Sequence, residues 1–323
     1  MFESQLSPFR GTDNCVRLVG HRGARGIMPE NTILGFEWTL RMGVDALEFD
    51  VMITRDGVPV IVHDHHLNAA TARGEDGIWL SEPGPAISDL TFKELQQFDV
   101  GGLNLQSDYG MRFPEQAFLN KLRVPSLDQL LDLVARPEFS HVRLMLEIKS
   151  APSDTNPALE REKVVRAVVN SVRKFGIQPR TVLHSFDWEI LQICQAQASD
   201  MPSSYLSNVP DQPEDVADHA LGLGKFGGQY ASAPDAVAQM GGRIWAPHHS
   251  DVTRDVVAHA KSLGLIVATW TVNEIDDICR VTKCGVDAIV TDYPARVQRE
   301  LAKRNMVWRD DPSSHPADLS PAV

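Results

Sequence analysis

HRGARGIMPENT, running from His21 to Thr32, follows directly on the apolar run Val16, Leu18 and Val19. A β-branched strand that breaks into a polar, Gly-containing turn and then opens a helix marks the place where α/β folds put chemistry. The turn is not a dinucleotide-binding loop. That fingerprint needs glycines at positions one, three and six, and here those positions hold Gly20, Arg22 and Arg25.

Outward from this turn, Pro29 and Asn31 read as a helix start, with Ile33, Phe36 and Leu40 at helical spacing up to Gly43. Ala46, Leu47 and Phe49 return to strand character, interrupted by Glu48 and Asp50, which share one face by the strand period of two. Strand, helix and strand make a βαβ unit. In VMITRDGVPVIVHD, Asp56 and Gly57 signal a two-residue hairpin loop. Counting outward pairs Arg55 with Val58 and Asp50 with His63, a register that Pro59 could slip by one residue.

Residues 67–124 are irregular, with scattered Gly and Pro and one capping box at Thr91 and Glu94. A stretch this long inside a domain reads as an insertion with a function. A second capping box, Ser126 with Gln129, precedes Leu130, Leu131, Leu133 and Val134. The strand LMLEIK, a helix through Val164, Val168, Val172 and Phe175 that stops at Gly176, and the strand TVLHSF follow. SSYLS, RIWAPHH, LIVATWTV and AIVTD complete the series. This alternation specifies an α/β fold, a TIM (β/α)8 barrel with an inserted segment after the second or third strand. Nine strand-like runs are one too many, so the hairpin at 50–63 holds the run that is not a regular stave. The layout is a lead-in at 1–15, a barrel at 16–305 and a disordered Pro-rich tail at 306–323. MGVDALEFD at 42–50 and CGVDAIVTD at 284–292 echo one another and read as two αβ turns that use Gly to end a helix.

The chain has 323 residues, 43% of them apolar, enough for a large core and incompatible with wholesale disorder. A net charge of −12, from 31 Lys and Arg against 43 Asp and Glu, argues against nucleic acid or an anionic membrane as partner. It leaves room for an anionic small molecule held by local cations or a metal. The N-terminal MFESQLSPFRGTDN lacks a basic start followed by an apolar core, and no run reaches membrane-spanning length, so a cytoplasmic protein without stable membrane insertion is expected. Cys15, Cys194, Cys279 and Cys284 lack zinc-site spacing and read as ordinary thiols.

Glu48, Asp50 and Glu147 are carboxylates embedded in strand runs that otherwise read as core. Any one alone could be a solvated strand end or an arginine partner. Clustered, they repel unless they share a cation, and hard oxygen ligands select Mg²⁺, Ca²⁺ or Mn²⁺ over zinc. His21 and His63 flank them and suit proton donation and withdrawal near neutral pH. Arg22 and Lys149 add the fixed charge that cradles a phosphate. His65, His66, His184, His248 and His249 lack a constrained partner in sequence and read as barrel-mouth or core histidines.

The motifs HRGARGIMPENT, LEFDV, PVIVHD, LEIK, TWTVN and VTDYP, in that order across residues 16–300, resemble the glycerophosphodiester phosphodiesterase family, in its cytoplasmic bacterial form. The resemblance implies hydrolysis of glycerophosphodiesters to glycerol 3-phosphate and an alcohol, with one divalent cation, Mg²⁺ or Ca²⁺ and with Mn²⁺ also admissible. By the same resemblance Glu48, Asp50 and Glu147 match the metal carboxylates, and His21 and His63 the acid/base pair. Arg22 matches the phosphate-contacting arginine, Lys149 the lysine after the metal glutamate, and 67–124 the insertion that helps form the mouth. Trp270 resembles the aromatic residue near the substrate, a packed barrel position being the other reading. After His63-Asp64 the family often continues with a leucine, an arginine and paired threonines, where this chain reads LNAATARGEDG, a departure that bears on substrate preference. Phospholipase C/D-like or lysophospholipase D action on lipid phosphodiesters, a non-catalytic phosphodiester-binding barrel and an unrelated TIM-barrel metal enzyme are the rival readings.

Overall fold

Short runs rich in Val, Ile, Leu and Ala become strands where both faces can be buried, and among the described residues nine strands form one sheet. The computed structural model describes residues 2–150, 156–210 and 215–309. The strands are β1 (Arg17–His21), β2 (Ala46–Ile53), β3 (Pro59–Ile61), β4 (Arg143–Ile148) and β5 (Thr181–Ser185). They continue as β6 (Ser203–Ser207), β7 (Ile244–Pro247), β8 (Ile266–Thr269) and β9 (Ala288–Thr291). All but β3 pair in parallel, in the order β1-β9-β8-β7-β6-β5-β4-β2, and β1 pairs again with β2 to close a TIM barrel. The surplus run is β3, antiparallel to β2.

The hairpin joining β2 and β3 departs from the expected register. Its loop has three residues, Arg55 to Gly57: Gly57 N donates to Thr54 O at 2.9 Å and Thr54 N to Val58 O at 3.0 Å. Gly57 takes φ +79°, the left-handed position that ends a three-residue hairpin loop. Val51 therefore pairs with Ile61 and Ile53 with Pro59, one residue off the count from a two-residue loop. Val62 N reaches Asp50 O at 3.1 Å, so His63 lies just past the ladder and is not the cross-strand partner of Asp50.

Helices cover the outside, starting with α1 (Ile33–Arg41), α2 (Leu127–Val134) and α3 (Pro157–Lys174). Thr32 caps α1 by accepting from Gly35 N, whereas Asn31, read from sequence as part of the helix start, takes φ +54° and turns its side chain to Asp50. Both capping boxes form: Ser126 with Gln129 opens α2, and Thr91 with Glu94 opens a single turn in the insertion.

Alternation along the strands separates two cores. Outward residues such as Leu18, Leu47, Leu144 and Leu183 pack on the helices, while Val19, Ala46, Met145 and Val182 fill the barrel. Leu6 and Phe9, from the helical turns before β1, join the inner cluster. Residues 67–124 carry a small core of their own, in which Leu67, Ala72, Ile87, Leu95 and Val124 pack on Met52 and Val60. Cys15 and Cys194 are buried, and Cys279 and Cys284 are partly exposed. At the other end, Val16 N donates to Val307 O at 3.0 Å, Val307 N to Asn14 O at 2.8 Å, and Trp308 is buried. Met306 to Trp308 thus pack on the barrel, contrary to a tail beginning at 306; residues 310–323 lie outside the described residues. Among the described residues no helix is long and apolar enough to cross a membrane.

The closest backbone approach beside the HRGARG turn is at Gly20, where a Cβ would stand 2.4 Å from Gly23 O and 2.7 Å from Thr39 Cγ2. Gly20→Ala is expected to lower the unfolding free energy by about 1–3 kcal/mol, the scale of overpacking in a filled interior. Urea denaturation measures this, and an unchanged midpoint would show that the turn has room to move.

Candidate active site

The barrel register brings the polar strand ends together. His21 on β1 lies opposite Glu48 on β2, Asp50 opposite Glu147 on β4, and Glu147 opposite His184 on β5. Glu48, Asp50 and Glu147 are buried, each with an oxygen within 4.8 Å of the others. Burial and the neighbouring Asp50 and Glu147 push the Glu48 carboxyl well above its ordinary value. Burial raises Glu147 to about 8 against the pull of Lys149. Burial also opposes ionisation of Asp50, but Arg22 and Lys149 overcome it and hold Asp50 well below the usual carboxylate range. Lys149 Nζ stands 2.7 Å from Glu147 Oε1 and 3.3 Å from Asp50 Oδ1. Asn31 Nδ2 donates to Asp50 Oδ2 at 3.0 Å.

This donor set fits a hard divalent cation. Three buried carboxylates converge, two of them held above their ordinary values by burial and by one another, and Asn31 Oδ1 beside them is a buried oxygen without a hydrogen-bond partner among the described residues. Glu48, Asp50 and Glu147 could hold such an ion.

Each of the two sequence-selected histidines has a carboxylate at Nδ1. His21 Nδ1 is 2.7 Å from Asp292 Oδ1, and its Nε2 is 3.8 Å from Glu48 Oε2. Burial takes His21 down to about 4, against the opposing pull of Asp292. His63 is half-buried, with Nδ1 2.6 Å from Asp64 Oδ1; Asp64 accepts in turn from Asn68 Nδ2 at 2.8 Å. Burial, Arg22 and Lys149 lower His63 as well. A neutral ring facing a carboxylate through Nδ1 carries its proton there, which leaves the Nε2 lone pair for chemistry.

These groups open onto one cavity of about 750 Å³, lined by His21, Arg22, Glu48, His63, Lys149 and Trp270 among others. Arg22 donates from Nη1 to Glu30 Oε1 at 2.9 Å. Its buried Nε, 3.3 Å from Asp50 Oδ2, has no aligned hydrogen-bond partner among the described residues. Opposite the charged side, Trp270 meets Phe186 edge-on at 5.2 Å and donates from Nε1 to Ala246 O at 2.9 Å. The tryptophan is thus both packed and part of the cavity wall.

Several residues here were not singled out from sequence. Asp292 holds His21 and also receives Arg25 in a bidentate pair at 2.8 and 2.9 Å. The 42–50 and 284–292 echo was its signal, since both copies end a strand in a carboxylate. Asn31 was hidden by its helix-start context. Tyr109, in the irregular insertion, had no signal. His184, left as a mouth or core histidine, lines the cavity; its Nδ1 pairs with Ser204 Oγ at 2.8 Å, and burial lowers it to about 3.

Residues 21–296 match the profile described as the glycerophosphoryl diester phosphodiesterase family. A glycerophosphodiester phosphodiesterase of Caldanaerobacter subterraneus subsp. tengcongensis is 26% identical over 277 residues, covering 86% of this chain and 94% of its own. A crystal structure from Silicibacter pomeroyi DSS-3, provisionally named a glycerophosphoryl diester phosphodiesterase, is 48% identical with a TM-score of 0.87, covering 94% of this chain and 99% of that one. An Oleispira antarctica phosphodiesterase, solved in complex with the product sn-glycerol-3-phosphate, shares the fold at 23% identity and a TM-score of 0.64, covering 89% of this chain and 97% of that one. With the barrel and the residues at its mouth, these matches show that the chain belongs to the glycerophosphoryl diester phosphodiesterase family of phosphoric diester hydrolases.

Proposed function

We propose that the protein hydrolyses glycerophosphodiesters to glycerol 3-phosphate and an alcohol, with His21 and His63 moving the protons and Glu48, Asp50 and Glu147 holding one divalent cation, Mg²⁺ or Ca²⁺. The observation that carries this reading is the pairing of two imidazoles, each fixed at Nδ1 by its own carboxylate, across a cavity that also holds three converging carboxylates. When bound, the cation supplies Lewis-acid stabilisation of charge on the phosphoryl oxygens. Arg22 and Lys149 line the cavity and offer a phosphate positive charge, Arg22 as a guanidinium and Lys149 as a point charge. One imidazole takes the proton of the attacking hydroxyl, from water or from the substrate's own glycerol, through its Nε2 lone pair. The other protonates the leaving alkoxide. Phe186, Leu206 and Trp270 form the apolar wall against which the carbon skeleton rests. The sn-glycerol-3-phosphate bound by the Oleispira antarctica phosphodiesterase supports a product of this kind.

Release of glycerol 3-phosphate from a panel of glycerophosphodiesters, before and after chelation, tests the proposal. Chelation is expected to abolish release and added Mg²⁺ or Ca²⁺ to restore it; turnover untouched by exhaustive chelation would remove the cation from the reading. Lysophosphatidylcholine run beside glycerophosphocholine separates the lipid-directed alternative, which predicts preference for the acylated substrate.

His21→Ala and His63→Ala are each expected to lower kcat by about 10²–10⁴-fold, the range for a positioned general acid or base. A variant that keeps near wild-type kcat would strip that histidine of its role. Glu147→Gln is expected to lose heat of binding for the same cation in calorimetry with the fold retained, independently of any turnover.

A further inference from the structure

The insertion is fastened to the turn after β1 by residues 109–117. Tyr109 Oη donates to Glu30 Oε2 at 2.5 Å and accepts from Arg25 Nη1 at 3.2 Å. The Arg25 guanidinium carbon lies 4.6 Å from the Phe113 ring centre. Gln116 Nε2 donates to Arg25 O at 2.7 Å, and Ala117 N to Ile27 O at 2.8 Å.

One phenol therefore joins two runs of charge-assisted hydrogen bonds. On one side Glu30 accepts from Tyr109 with Oε2 and from Arg22 with Oε1. On the other, Arg25 grips Asp292, whose Oδ1 also meets His21 Nδ1. Arg22 needs such support. Its backbone sits at φ +49°, unusual for a residue with a side chain, and a long guanidinium arm loses rotamer freedom when it is held between Glu30 and Asp50 at the cavity wall. The His21 ring likewise keeps its direction only while Asp292 keeps its own, and Arg25 fixes Asp292 through both oxygens.

We propose that Tyr109 is a positioning residue: through Glu30 it sets the Arg22 guanidinium, and through Arg25 and Asp292 it sets the His21 imidazole. The proposal rests on the hydrolase reading for what Arg22 and His21 then do. It makes the insertion a working part of the site as well as a wall of its mouth.

Tyr109→Phe removes one oxygen and keeps the ring; Glu30→Gln keeps the shape and removes the charge. Both single variants and the double variant are compared with the wild type as full-length, metal-supplied protein, with folding checked by circular dichroism. Two readouts are taken: kcat and KM on glycerophosphocholine, and calorimetric affinity for sn-glycerol 3-phosphate. Tyr109→Phe is expected to lower kcat/KM by about tenfold or more, the scale of one hydrogen bond to a charged group, and to weaken product binding in parallel. The double variant is expected to be no worse than the poorer single one, as for residues that act through a shared contact. Wild-type kcat/KM and product affinity in Tyr109→Phe would overturn the proposal. So would fully multiplicative losses in the double variant, which mean that Tyr109 does not set Arg22 through Glu30. A wild type that releases no glycerol 3-phosphate from any diester would sink the hydrolase reading instead, and the cycle measured on product binding would still decide the role of Tyr109.

Discussion

Three buried carboxylates with oxygens within 4.8 Å of one another repel, and the mouth of this barrel is arranged around that repulsion. Arg22 and Lys149 both lean on Asp50, which stays ionised, while Glu48 and Glu147 are pushed towards holding protons. The local balance is still short of positive charge. Such a pocket attracts a cation, and the arginine and lysine beside the carboxylates keep positive charge at the cavity wall. The global charge of −12 therefore does not oppose an anionic substrate, since it acts over distances at which solvent and salt screen it.

The barrel delivers these groups by a simple device. Along the inward rows of four strands an apolar residue gives way to a polar one towards the end: Val19 then His21, Ala46 then Glu48 and Asp50, Met145 then Glu147, Val182 then His184. The outward rows of β2 and β4 stay apolar, as in Leu47 and Leu144, whereas β5 and β6 turn Thr181, Ser185, Ser203 and Ser207 outward. The strands β1, β2, β4 and β5 thus pass from core to cavity wall along one row. The same alternation made Glu48, Asp50 and Glu147 legible from sequence, since a carboxylate inside an apolar strand run must face either solvent or a built site.

What escaped sequence reasoning did so for separable reasons. The Asp-Gly signal favours a two-residue loop, but the Thr54 hydroxyl donates to Asp56 Oδ1 at 2.6 Å and accepts from Val58 N at 3.0 Å, which closes a three-residue loop and shifts the ladder by one. The site tolerated the error because His63 enters from beyond the ladder, held by Asp64. Asp292 stands far along the chain from His21, and only closure of β1 against β9 brings them together. The echo between 42–50 and 284–292 was informative after all. Asp45 accepts from Leu18 N at 3.0 Å and Asp287 from Val267 N at 2.9 Å, so the two segments do the same structural work before each ends in a site carboxylate. Trp308 was read as tail because Pro and Asp surround it, although one large apolar ring suffices to dock the segment that carries it.

The insertion was the least legible part, because its contribution lies in tertiary hydrogen bonds and not in any periodic pattern. Asn68, at its start, holds Asp64, which holds His63. Tyr109, well inside it, holds Glu30 and Arg25, which lead to Arg22 and His21. The two histidines sit on different supports, one on a barrel strand and one just after the hairpin; the inserted module touches Asp64 behind His63 and reaches Asp292 behind His21 through Arg25. Barrel packing alone fixes the carboxylates to within the stiffness of the sheet. The direction of the imidazoles depends on the carboxylates behind them: Asn68 of the insertion holds Asp64, while Arg25 and Asn273, from the turns after β1 and β8, hold Asp292. In this molecule the barrel sets where charge is placed, and side chains around its mouth, Asn68 and Tyr109 of the insertion among them, bear on how the two imidazoles are held.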